Sequence, residues 1–167
     1  MTVRTVDGGF VLWYEEAYGE FVTSLFLCDG DLDRARDAAA EACVRALERW
    51  SRVGAMDSPT AWAFVVGRNV LRRRYRERSR LAHVGFSPDR DAVADPESAV
   101  DLWLLIGELS ARQREVVALK FGADLPEAQI AAALGISRGT VSSTLADAYR
   151  RLRGVLAETL EKGGRDD

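Results

Sequence analysis

The chain has 167 residues, of which 47% are hydrophobic and 29% charged, and its formal net charge is −3. That length suits two small lobes; with no secretory leader and no apolar run able to span a bilayer, a soluble, cytoplasmic protein without membrane insertion is expected. One histidine, His83, cannot assemble a metal set or a histidine-based triad, and Cys28 and Cys43 lack a C-x-x-C spacing, so the expectation is no enzyme, no metal and no cofactor.

Alternating strand patterns are absent, and the predicted fold is all-α: two small helical domains, residues 8–80 and 96–160, joined by a flexible linker over 81–95. In the first, Phe10, Trp13, Tyr14, Ala17, Tyr18, Phe21, Val22 and Leu25 recur at helical spacing and form one face of a long helix. Gly30-Asp31 breaks it. A second helix runs from Asp31 to Trp50, with Ala35, Ala38, Ala39, Ala42, Cys43, Ala46 and Leu47 inward and Arg36, Asp37, Glu41, Arg45 and Glu48 outward. Both cysteines fall in apolar helical segments, where a reduced thiol behaves as a small hydrophobe. Ser51 to Ser58 is expected to be a loop, and Ser58-Pro59 starts a third helix with Trp62, Val65, Val66, Asn69 and Val70 on one face.

The charge distribution says more than its sum. Residues 1–50 carry ten acidic and five basic side chains, a net of −5, whereas Arg68 to Arg80 hold seven arginines against Glu77 alone, a net of +6. These arginines continue the third helix, so a rigid rod carries them. Without an anionic partner they would repel one another, and local potential rather than total charge governs nucleic-acid binding. Leu81 to Asp95 has no periodicity and holds His83; Asp95-Pro96-Glu97 then starts a helix whose apolar side includes Trp103, Leu104, Ile106 and Leu109.

Leu109 to Arg153 is expected to form three short helices. Ser110 with Gln113 makes a capping box, Pro126-Glu127 suits a first turn, Gly135 supplies a sharp bend, and Ser137 caps the third helix. Ile130, Ala131, Leu134, Ile136, Val141 and Leu145 face inward, with Leu152 extending the stripe. Arg138, Gly139, Ser142, Ser143 and Ala146 face outward near the helix start. Small side chains there permit close approach to base edges, and Arg138 can reach a guanine or a phosphate, which is the pattern of a helix-turn-helix. The third helix carries four arginines against Asp147, a net of +3, and Glu161 to Asp167 is expected to fray.

Taken together, these segments resemble the short, two-domain, extracytoplasmic-function (ECF) sigma factors of bacterial RNA polymerase. GDLDRARDAAAEACVRAL, from Gly30 to Leu47, is similar to G-D-x-x-x-A-E-D-x-x-Q-E-x-x-x-R-x-W. SPTAWAFVVGRN, from Ser58 to Asn69, is similar to P-x-A-W-L-x-x-I-A-R-N, with a basic helix following. LSARQREVVALKFGADLPEAQIAAALGISRGTVSSTL resembles the family's region 4 pattern ending G-T-V-K-S-R-L. The resemblance implies a factor that binds core RNA polymerase, at the β′ clamp coiled coil and the β flap, and directs initiation at promoter DNA. Asp37, Glu41 and Arg45 would meet the polymerase. Arg68, Asn69, Arg72, Arg73 and Arg76 would meet the −10 element, with the 50–60 loop taking an unstacked base. Arg138, Gly139, Thr140, Ser142 and Ser143 would meet the −35 element. The resemblance also implies an anti-sigma partner. The chain departs from the pattern at Arg36, Ala40 and Leu47, at Pro126, and at Ser142 and Thr144, where the family has Lys and Arg.

Two other readings stand beside this one. A stand-alone helix-turn-helix regulator would need an effector or receiver domain, for which the first lobe offers no α/β pattern. A purely protein-binding helical adaptor would leave the arginines solvated.

Overall fold

The computed structural model describes residues 7–81 and 105–163, and every regular element among them is helical. Helix α1 (Gly8–Asp29) is capped by Asp7, which accepts from the Gly9 N–H at 2.8 Å, and ends at Gly30 in the left-handed region. Helix α2 (Leu32–Glu48) is capped by the buried Asp31, whose carboxylate accepts from the Arg34 N–H at 2.8 Å. Its inner face of Ala35, Ala38, Ala39, Ala42 and Ala46 is fully buried; alanines let neighbouring helix axes approach closely. Helix α4 (Pro59–Leu81) starts where the Ser58-Pro59 signal puts it, with the Ser58 hydroxyl accepting from the Ala61 N–H at 3.1 Å.

Three expectations for this lobe are corrected. The stretch after Trp50 is not all loop, because Trp50–Val53 forms a short helix, α3, held as Trp50 packs edge-on to Phe10 at 5.4 Å. Leu47 is exposed rather than inward, since the alanine stripe already fills the contact. The inward side of α4 is centred on Ala63, Phe64, Val70 and Leu71; Asn69 is exposed, and Trp62, Val65 and Val66 sit half-buried at the edge.

In the second lobe α5 (Ala111–Val117) begins with the predicted capping box: Ser110 Oγ accepts from Gln113 N, and Gln113 Oε1 accepts from Ser110 N. A π-helical segment, Ala118–Gly122, follows without a sequence signal to announce it. Helix α6 (Glu127–Leu134) has Pro126 at its cap position and ends at Gly135, whose φ of 66° is the bend expected there. Helix α7 (Arg138–Gly163) spans 26 residues, far longer than predicted, and carries helix into the segment expected to fray. Ile106 and Leu109 are buried, but the linker with His83 and the greater part of the helix predicted after it lie outside the described residues.

The two lobes are not independent. Phe21 and Leu25 of the first and Val116, Leu119 and Ile130 of the second belong to one continuous apolar core. Ser24 and Leu27 of α1, which fall off the predicted stripe, are buried, and Ser24 lies against the second lobe beside Gly122. A Cβ built at Gly122 would stand 2.8 Å from Ser24 Cα, so the two backbones approach as closely as only glycine allows.

Candidate nucleic-acid and polymerase interfaces

Helix α7 presents its first two turns to solvent. Ser137 Oγ accepts from the Thr140 N–H at 3.0 Å, while Val141, Leu145 and Ala148 pin the helix to α5 and α6 from beneath. Arg138, Gly139, Thr140, Ser142, Ser143 and Ala146 are exposed together, as the sequence requires of a reading face. Arg138 forms no ion pair among the described residues. Its position in the first turn adds a guanidinium to the positive end of the helix, where anions bind. The hydroxyls are already oriented: Ser143 donates to Thr140 O at 3.1 Å, and Ser142 donates to Glu127 Oε2 at 2.6 Å. Glu127 was expected only to serve a helix start, yet its carboxylate also borders the reading face. Farther along α7 the positive charge is partly neutralised, by Asp147 for Arg150 at 2.8 Å and by Glu108 for Arg151 at 2.7 Å.

The outer face of α2 forms a ridge. Asp37, Glu41 and Arg45 lie one turn apart, with Arg45 paired to Glu41. Val44 and Leu47, at 57% and 38% exposure, stand beside these charges. Large apolar side chains among ordered charges are what a protein-binding surface needs. Val44 was missed by sequence reasoning, although its register, out of step with the alanine stripe, was the available signal.

The arginine rod differs most from expectation. It is not left without anions, because the chain supplies them. Arg73 meets Glu41 at 3.3 Å, and Arg74 meets Asp37 at 3.3 Å and Glu41 at 3.7 Å, so α4 and α2 are laced by a charge ladder. Arg76 is exposed, its Nε donating to Arg72 O at 3.4 Å. Arg68 is largely withdrawn from solvent, and both it and Arg72 pair with Glu115 of the second lobe. Burial pulls the Arg68 pKa down while Glu115 opposes that shift. Asn69, Arg72, Arg73 and Arg76 therefore remain on the surface, Arg72 with its guanidinium held by Glu115, and Arg68 does not. Tyr75, 59% exposed among the arginines, is an aromatic that the charge count overlooked.

Among the described residues no group of His, Cys, Asp and Glu could hold a metal ion, and no helix is long and apolar enough to cross a membrane.

Residues 16–81 match the family described as Sigma-70 region 2, and residues 105–154 match Sigma-70, region 4. The ECF RNA polymerase sigma factor SigL of Mycobacterium tuberculosis is 34% identical over 138 residues, covering 77% of this chain and 78% of the relative. The RNA polymerase sigma-E factor of Streptomyces avermitilis is 35% identical over 124 residues, covering 71% of this chain and 69% of the relative. The sigma factor RpoE of Bartonella quintana, crystallised with the anti-sigma factor NepR, shares the fold with a TM-score of 0.71 at 22% identity, over 89% of this chain and 96% of that one. A first lobe of the region 2 family is neither a receiver nor an effector domain, which removes the support for a stand-alone regulator. The chain belongs to the ECF RNA polymerase sigma factors, and its function is to direct the initiation of transcription.

Proposed function

We propose that residues 8–80 form the unit that binds core polymerase and reads the −10 element, and that 96–160 form the unit that reads the −35 element, with 81–95 as the strap between them. The chain acts in the cytoplasm and catalyses no reaction itself. Asp37, Glu41 and Arg45 dock on the polymerase, with Val44 and Leu47 as apolar anchors beside the charges. Arg138, Gly139, Thr140, Ser142 and Ser143 enter the −35 major groove. The small side chains allow the helix axis to approach, and the Arg138 fork matches guanine O6 and N7. Asn69, Arg73 and Arg76 take −10 backbone phosphates, and Arg68 and Arg72 join them once Glu115 has released them.

The single observation that carries this reading is the capped, exposed start of α7, where an arginine without an ion pair among the described residues stands among side chains too small to block a groove. Extruding a base costs a few kcal/mol, and stacking at about 1–3 kcal/mol per base offsets it. By likeness to the relative crystallised with NepR, an anti-sigma factor is the regulatory partner.

The polymerase assignment is tested by titrating labelled chain onto core enzyme. Reversing Asp37 and Glu41 to Lys is expected to weaken binding at least about tenfold, a loss of roughly 1.4 kcal/mol. Unchanged affinity in a variant that keeps its helical circular dichroism would remove the ridge from the interface.

A further inference from the structure

We propose that Glu115 is an internal substitute for promoter phosphate, which locks the free chain in a closed form that engages the −10 element only weakly, with Arg68 covered and Arg72 tied up, until the lobes part. This rests on the assignment of the α4 arginines to −10 DNA and adds a self-inhibited state to it.

Glu115 lies on α5, with its side chain 6% exposed. Its Oε2 is 3.3 Å from Arg68 Nη1, its Oε1 accepts from Arg72 Nη2, and Arg112 of its own lobe completes the cluster at 3.3 Å. One carboxylate thus faces three guanidinium groups, two of which come from the other lobe. The Arg68 side chain is 13% exposed, so a phosphate cannot reach it without displacing Glu115. Arg68 Nε, buried and without an acceptor among the described residues, marks the cluster as incompletely satisfied, the condition under which an external anion competes. Breaking a buried pair by removing one partner is costly, whereas exchanging one anion for another is not.

Two further features place the seam over the same surface. Gln129 of α6 donates to the Asp57 carbonyl at 3.5 Å, so the second lobe also abuts the turn before α4, within the segment assigned to an unstacked base. Gly122 rests on the α1 backbone, and the three atoms nearest to its imagined Cβ all belong to Ser24. The closest atoms to a methyl group there all belong to the opposite lobe, which makes Gly122→Ala a wedge at the seam. Cys28 supplies a reporter. Its thiol is pushed up to about 12, first by burial and then by Glu115 of the opposite lobe, and parting the lobes removes the second influence.

The experiment uses the full chain with Cys43→Ala, so that Cys28 is the only thiol, and compares it with added Gly122→Ala and, separately, added Glu115→Gln. Maleimide labelling at pH 8 reports opening in Gly122→Ala, which keeps the Glu115 charge that raises the Cys28 thiol; binding to a −10 duplex carrying a preformed bubble reports access to the arginines in every variant. A closed state populated about ten to one reduces apparent affinity about tenfold, so Gly122→Ala is expected to label about tenfold faster and each opened variant to bind about tenfold tighter. Equal labelling in Gly122→Ala and its parent, or faster labelling without tighter DNA binding, overturns the lock. Arg76→Ala, outside the seam, tests the underlying assignment: it is expected to weaken bubble binding in every background. If it does so while the opened variants bind like their parent, only the lock fails; if it has no effect, the −10 assignment fails. Two variants acting by different means guard against loss of fold in either.

Discussion

Arg138 shows how much one side chain can decide. It stands exposed in the first turn of α7, and with Ser142 and Thr144 where the family pattern has Lys and Arg it is the main cation of the proposed reading face. Arg138→Ala is expected to cost about 1–3 kcal/mol of binding to a −35 duplex and to relax discrimination at one base pair, measurable by competition with single-base variants. Weakening that is uniform across sequences would make it a phosphate contact instead. Gly135 acts through the backbone. At φ 66° an alanine there is expected to lose about 1–2 kcal/mol in urea unfolding, because a Cβ crowds the carbonyl in that region. Both residues were legible in the sequence, since local chemistry determines a cap and a tight bend. The situation of Arg68 was not legible, because its partner Glu115 comes from the other lobe and no spacing rule links the two.

Between helices, α2 and α4 are held by two different layers. Beneath lies the buried alanine face of α2, in one core with Phe64 and Val70 of α4; above lies the ladder of Asp37 and Glu41 with Arg73 and Arg74. Exposed pairs of that kind contribute under about 1 kcal/mol each, so the buried layer carries the stability and the ladder remains free to exchange partners. Phe64→Ala is accordingly expected to cost about 3–5 kcal/mol by denaturant titration, far more than the double reversal of Asp37 and Glu41. A near-equal loss for the two would mean that the ladder is structural. Periodicity located α1, α2 and α4 well, since an apolar stripe is a property of a single helix. It misplaced Leu47 and the inner face of α4, because which edge of a stripe is covered depends on the neighbour. It gave no warning of α3, which forms where Trp50 finds Phe10 and Trp13, or of the π-helical segment, whose Gly122 meets Ser24.

At the scale of the molecule, the sequence predicted two cationic faces on separate domains, and the structure joins the lobes through a common core with Glu115 at the seam. Ser24, which lies off the predicted stripe of α1, is the trace of that second contact. On the proposed assignments, the α2 ridge and the start of α7 stand open while Arg68 is covered by Glu115, so engagement with polymerase would precede the reading of the melted element. The most direct measurement is runoff transcription from a promoter library by core RNA polymerase, with and without the purified chain. The account predicts discrete, factor-dependent transcripts that disappear when Asp37 and Glu41 are reversed to Lys. Transcripts that are the same without the chain, or that survive the reversal undiminished, would contradict it.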